Sequence, residues 1–78
     1  MPTVRGIPGP YRFFFYSFDC REPKHVHVER DRRVCKFWLE PVVLDSSQGF
    51  RRHELTQIRQ LIAGNILLIL EAWEEHCG

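Results

Sequence analysis

The pattern of apolar and polar positions divides the chain into a strand-like N-terminal part and a helical C-terminal part. The run Tyr11–Phe18 is rich in aromatic residues and poor in helix formers, so it predicts a core strand that is apolar on both faces. Asp19–Pro23 is polar and predicts a connection. Segments 25–30 and 33–39 follow, and because only Asp31-Arg32 separates them they predict a tight antiparallel hairpin.

Alternation along the hairpin predicts its register. If Arg30 opposes Arg33, one face of the hairpin carries only apolar pairs and the other carries a mixed set. The apolar pairs are Val26 with Phe37 and Val28 with Cys35. The mixed pairs are His25 with Trp38 and His27 with Lys36. We therefore expect a half-buried sheet whose valine face is covered.

The remainder of the chain predicts one short strand and a helical region. Residues 42–44 form a possible fourth strand after Pro41, and residues 45–49 predict a loop. From Phe50 onward apolar residues recur at helical spacing. The pair Gly64-Asn65 predicts either the end of one helix, with Asn65 capping a second, or a bend in one continuous helix.

These elements predict a single α+β domain over residues 1–78. Its antiparallel sheet has three to four strands, and two C-terminal helices pack on one face of that sheet. The most apolar run, Ile66–Leu70, is far too short to cross a bilayer, so no membrane partner is expected.

Charge is distributed unevenly along the chain. The formal net charge is +1, but residues 1–36 hold eight Lys/Arg against four Asp/Glu, and residues 37–78 hold three against six. A basic end favours an oriented contact with a polyanion or an acidic protein.

The cysteines predict reduced thiols. Cys20, Cys35 and Cys77 are odd in number, form no Cys-x-x-Cys motif, and follow a chain start without the apolar stretch of a secretion signal. These features predict a cytoplasmic protein.

His25 and His27 are the main chemical candidates. Residues two apart on a strand share a face, so the two imidazoles lie together and could bind a metal or a ligand, or form an ordinary sheet surface. Lys36 lies opposite His27, so its positive charge would repel a bound cation. Cys35 points to the other face and cannot be a ligand here. With no third ligand nearby, we predict no metal site, no cofactor and a chain that folds without either. The charge of Lys36 should also lower the pKa of His27.

Basic residues of the hairpin extend this candidate surface. Lysine and arginine interleaved with Trp38 could hold an RNA backbone and stack a base, or could simply keep an exposed hairpin soluble. The predicted binding residues are His25, His27, Arg30, Arg33, Lys36 and Trp38. No Ser-His or Cys-His pair with an orienting carboxylate can be assembled, so no catalytic residue is predicted.

The arrangement resembles a known bacterial family. A Pro-Thr-Val start, an aromatic strand, Pro-x-His-x-His, a Gly-Phe step and a closing Trp-x-x-His together resemble domain of unknown function 4160. The matching positions are Pro2, Thr3, Val4, Pro23, His25, His27, Gly49, Leu55, Glu71, Trp73 and His76. Lys24 departs from the family, which usually has a second proline or a similar residue before the first histidine.

The resemblance implies a small cytoplasmic protein encoded beside another small gene, in pairs that look like toxin–antitoxin modules. We therefore expect a non-enzymatic interaction module that binds the product of the adjacent gene, or RNA or DNA, through the predicted binding residues. One alternative is a small RNA-cleaving toxin with His25 or His27 as general acid or base. The other is a metal-binding domain.

Overall fold

The computed structural model describes residues 3–78, and it contains a five-stranded antiparallel sheet and two helices. The strands are β1 (Thr3–Val4), β2 (Arg12–Phe14), β3 (His25–Arg30), β4 (Arg33–Leu39) and β5 (Val42–Gln48), and they lie in the sheet in chain order. The helices are α1 (Arg52–Gly64) and α2 (Ile66–Cys77), and a 3-10 turn occupies Asp19–Arg21. The α+β class is therefore confirmed, but the sheet has five strands rather than three to four. Pro2, part of the family resemblance, lies outside the described residues.

The β3–β4 hairpin has the predicted register. Arg30 pairs with Arg33, and the four other predicted pairs of β3 with β4 are all observed, alternating apolar and mixed. Asp31 at the turn has φ of 57°, a left-handed conformation that aspartate tolerates better than most residues. The valine face is covered by both helices, which fits the apolar alternation. The core under the helices contains Val26, Val28, Phe37, Leu39, Ile58, Ile62, Ile69 and Trp73.

Two predicted strand boundaries are wrong. β2 ends at Phe14, and Phe18 is 65% exposed, so the aromatic run is not a single core strand. Ser17 and Phe18 form a turn, which the run of aromatic side chains conceals. β5 continues through the predicted loop to Gln48 because a register shift opposite Lys36 and Phe37 lets its polar residues keep pairing with β4.

The connection from β5 to α1 requires glycine. Gly49 has φ of +90°, and a Cβ there would lie 2.7 Å from Arg33 Cγ. At the start of α1, the Arg51 amide donates to Glu54 Oε1 over 3.1 Å, and Arg33 donates to the other carboxylate oxygen. Glu54 thereby ties the helix to β4, and its bond to the Arg51 amide is the first cause of its lowered pKa.

The two helices are separate elements that meet at Asn65. Its side-chain amide donates to the Leu61 carbonyl over 2.8 Å, closing α1, while its own carbonyl accepts the amide of Ile69. Asn65 is the N-cap residue of α2, as expected, but it accepts through its backbone carbonyl and its side chain makes no capping bond to that helix. Neither helix of residues 3–78 is long and apolar enough to span a bilayer.

Candidate functional site

The candidate site lies on the sheet face opposite the helices, which we call the histidine face. It carries His25 and His27 of β3 with Lys36 and Trp38 of β4, as the register predicts. The chain between β2 and β3 crosses this face, because Asp19 contacts both histidines and Glu22 contacts Lys36. The face is therefore partly covered rather than fully exposed.

Asp19 is buried between the two histidines. Its Oδ1 lies 3.1 Å from His25 Nε2, and its Oδ2 lies 3.0 Å from His27 Nε2. The backbone amide of Tyr16 also donates to Oδ2 over 2.7 Å, which holds the carboxylate in place from within its own turn. Asp19 has almost no exposure, and these hydrogen-bond partners offset the cost of burying its polar atoms. The three side chains form what we call the Asp-His-His cluster.

His25 is fully buried, contrary to the expected exposed surface. Its Nδ1 lies 2.8 Å from the Pro23 carbonyl, and its ring lies 5.5 Å from that of Trp38 and 5.3 Å from that of Trp73 in α2. Its Nε2 is buried and has no partner in hydrogen-bond geometry among residues 3–78, although Asp19 Oδ1 is near. His25 therefore cannot touch a large ligand directly.

His27 is half-buried and is the histidine that reaches the surface. Its ring stacks on Phe14 at 5.5 Å and meets the edge of Tyr16 at 4.7 Å. Burial is the largest cause that lowers the pKa of His27; Asp19 opposes it, and His25 and Lys36 contribute to the lowering. The predicted direction is confirmed, but burial rather than Lys36 is its main cause.

The lowered pKa of His27 predicts acid destabilisation. In the unfolded chain this imidazole takes up its proton near pH 6.5, whereas the folded protein resists protonation until a lower pH. Stability should therefore be complete above about pH 6.5 and should fall as pH drops through the folded pKa. Melting temperatures of the wild type and His27→Gln between pH 7.5 and 5 test this, with the exposed His53→Gln as the control. An acid slope that His27→Gln leaves unchanged would contradict it.

Lys36 and Trp38 lie beside the cluster but are already engaged. Lys36 Nζ is 2.8 Å from Glu22 Oε1, 4.0 Å from Asp45 Oδ2 and 4.4 Å from the centre of the Trp38 ring. The hydrogen bond from Lys36 is the main cause that lowers the pKa of Glu22. The positive charge of Lys36 is thus offset by carboxylates.

Arg30 and Arg33 do not join the histidine face. Alternation along β3 and β4 places them on the helix side, where Arg33 pairs with Glu54 over 2.6 Å and Arg30 lies over the Tyr11 ring at 5.8 Å. The grouping of all six predicted binding residues on one surface is therefore wrong. Arginines at a hairpin end follow the same period-two rule as its core residues.

The prediction of reduced thiols is wrong for two of the three cysteines. Cys20 and Cys77 form a disulfide, whereas Cys35 is free and buried, and burial raises the pKa of its thiol to about 12. Next to the disulfide, His76 Nε2 donates to the Tyr16 carbonyl over 2.9 Å. The end of α2 is therefore attached to the segment that carries Asp19 at two points, at Tyr16 before Asp19 and at Cys20 after it.

An open groove of about 340 Å³ begins at His27. It runs along the histidine face toward β5 and is lined there by Phe14, Tyr16, Val34, Lys36, Ser46 and Gln48. Solvent or a small ligand can thus approach the Asp-His-His cluster from the His27 side.

Comparison with known proteins adds the family. The family model described as Domain of unknown function (DUF4160) matches residues 11–74, which is most of the chain. The chain belongs to this family. No curated protein and no protein of solved structure shows significant similarity to it.

Several residues that carry the DUF4160 resemblance surround the Asp-His-His cluster. His25 and His27 belong to it, Pro23 provides the carbonyl that His25 contacts, and Trp73 and His76 contact the rings or backbone beside it. These motif residues are therefore close together in the fold, although they are far apart in the sequence.

Sequence reasoning missed Asp19. The residue stands in a polar connection, and nothing in the local pattern shows that this connection crosses back over β3. The local sequence offered one signal, Ser17 two residues before Asp19, because serine and aspartate are common in turns, where aspartate accepts hydrogen bonds from nearby backbone amides.

Proposed function

We propose that this chain is a non-enzymatic protein-binding module whose outer strand, β5, pairs with an extended segment of a partner. The supporting observation is a long sheet edge, without a further strand partner among residues 3–78, that has a cavity on each face. β5 is the last strand in the sheet order, is seven residues long and is mostly exposed. An unpaired edge of this kind can accept an additional strand.

The two cavities match the geometry of an added strand. One, of about 380 Å³, is lined on the histidine face by Trp38, Pro41 and Val43. The other, of about 470 Å³, lies on the helix face between Leu44 and Leu55. Alternate side chains of an incoming strand point to opposite faces, so each cavity can receive every second residue of the partner.

Charge favours a protein over a polyanion at this surface. Lys36 is paired with Glu22, and Lys24 lies 3.4 Å from Glu74 and 3.7 Å from Glu40. Phosphate binding at these lysines would have to displace carboxylates that already contact them. Arg52 and Arg59 line the helix-face cavity, which suits a partner segment with an acidic residue beside its apolar ones.

The proposed partner is the small protein encoded by the adjacent gene. This follows the family resemblance, in which such genes stand in pairs that look like toxin–antitoxin modules in bacteria, and it places the complex in the cytoplasm. In the cytoplasm, reducing thiols would act on the Cys20–Cys77 disulfide.

Calorimetric titration of the purified chain with the adjacent gene's product tests the proposal. Val43→Lys and Leu44→Lys place a charge at side chains that are 47% and 40% exposed and line the cavities. Each variant should weaken binding about tenfold or more, because a buried unpaired charge opposes the contact. Leu67→Lys is the matched control, since Leu67 is 76% exposed on α2, away from β5.

If both β5 variants bind the partner with the affinity of the wild type, the proposed surface is wrong. The absence of any complex at micromolar concentrations would overturn the proposed partner. Tight binding of single-stranded RNA with no protein complex would instead favour the nucleic-acid alternative.

RNA cleavage stays an alternative prediction. It would have to use His27 alone on the histidine face, because His25 has no exposed surface. A cleavage assay with the His27→Ala variant addresses it directly.

A further inference from the structure

We infer that Asp19, His25 and His27 form a binding site for a divalent transition-metal ion such as Zn²⁺. Each residue offers one ligand atom, and the three atoms lie within 4.8 Å of one another. Two imidazoles and one carboxylate are a common protein ligand set for such ions. Asp19 is the third ligand that the local sequence around His25 and His27 lacks.

The protonation of His25 provides the central argument. Its Nδ1 lies 2.8 Å from the Pro23 carbonyl, and a nitrogen facing a carbonyl at this distance must carry the proton that it donates. In a neutral imidazole the other nitrogen, Nε2, then bears a lone pair. That lone pair is buried and has no hydrogen-bond partner among residues 3–78; Asp19 Oδ1 is 3.1 Å away but is not aligned for a hydrogen bond.

A buried nitrogen lone pair without a donor, next to a buried carboxylate, is stabilised by a cation that binds beside both. A metal ion satisfies His25 Nε2 and both neighbouring ligands together, and the bond from Nδ1 to the Pro23 carbonyl is the outer contact that orients a metal-binding histidine. The competing cation is a second proton on His25, which would make it an imidazolium paired with Asp19.

The spacing of the ligand atoms is suitable. A metal about 2.0–2.1 Å from each ligand separates neighbouring ligand atoms by about 2.9 Å in octahedral and about 3.3 Å in tetrahedral coordination. His25 Nε2 lies 3.1 Å from Asp19 Oδ1, and His27 Nε2 lies 3.0 Å from Asp19 Oδ2, so each oxygen of the carboxylate has this spacing to one histidine. The three ligand atoms, one from each residue, lie within 4.8 Å of one another, so the side chains must move closer together to hold one ion.

The surrounding charges permit a cation. Lys36 lies opposite His27, but its ammonium is 2.8 Å from Glu22, so one carboxylate offsets it. Glu22 also lies 3.9 Å from His25 Nδ1, and the carboxylate of Asp19 is within the cluster itself. His27 lines the groove on the histidine face, which provides the entry path and room for a solvent ligand.

Titration of the metal-stripped, disulfide-bonded full chain with Zn²⁺ in a calorimeter tests the inference, with Co²⁺ absorption as a second readout of coordination. We expect one ion per chain, a rise of several degrees in melting temperature, and proton release on binding. His27→Ala should weaken binding about 100-fold or more while leaving the fold intact, since His27 is only half-buried. Asp19→Asn, which keeps an oxygen for the Tyr16 amide, should do the same.

Two histidine variants are matched controls. His53→Ala removes an exposed histidine of α1, and His76→Ala removes the histidine beside Cys20 and Cys77, the second group of possible ligands. Both should bind Zn²⁺ as the wild type does. Binding that His76→Ala abolishes, or that appears only after reduction of the disulfide, would overturn the inference by placing the ion at the thiols. No binding, with nitrogen NMR showing His25 protonated on both nitrogens, would overturn it in favour of the proton.

Discussion

Phe37→Ala is expected to lower the free energy of unfolding by about 3–5 kcal/mol. Phe37 lies at the centre of β4, is 2% exposed and belongs to the core between the sheet and the helices. Its removal leaves a cavity between β3, β5 and α1 that the rigid hairpin cannot close. A domain of this size has a small total stability, so the variant should be largely unfolded at physiological temperature.

Urea unfolding followed by circular dichroism measures this change. Val34→Ala is the control, because Val34 is in the same strand, faces away from the helices and is 37% exposed. It should cost less than about 1 kcal/mol. A cost for Phe37→Ala as small as that of the control would mean that the helices do not pack on this face as the structure shows.

Loss of the Cys20–Cys77 disulfide is the second large effect expected. The two cysteines are 57 residues apart, so the bond closes a loop that includes most of the chain. Loop-closure entropy for that length corresponds to about 4 kcal/mol of stability. The double variant Cys20→Ser/Cys77→Ser should therefore unfold at much lower urea concentration than the oxidised wild type.

Reduction of the wild type with a dithiol should reproduce the effect of the double variant, and the same reductant should not change the double variant further. The disulfide also anchors the residue next to Asp19, so its loss should weaken Zn²⁺ binding at the Asp-His-His cluster. Equal stability of the oxidised and reduced wild type would show that the loop is constrained without the bond.

The hairpin and its faces could be predicted from the sequence because their causes are local. Strand side chains alternate with a period of two, so one pairing in β3 and β4 determined which face Val26, His27 and Lys36 occupy. The same rule places Arg30 and Arg33 on the helix side, so the prediction that they share a surface with the histidines contradicted it. The helical spacing after Phe50 was equally local, and α1 and α2 lie where it predicts.

The limits of the sequence appear where a residue's role depends on contacts distant along the chain. Asp19 belongs to a polar link, and only the path of that link across β3 makes it the partner of His25 and His27. Cys20 and Cys77 meet because α2 returns to the same link, and no spacing rule relates two cysteines that far apart. Periodicity within a strand or helix thus determined the β3–β4 hairpin, the two helices, their faces and the core between them. The tertiary structure alone decided the burial of His25, the third member of its cluster and the disulfide, because these depend on how a loop and a helix end pack over the sheet.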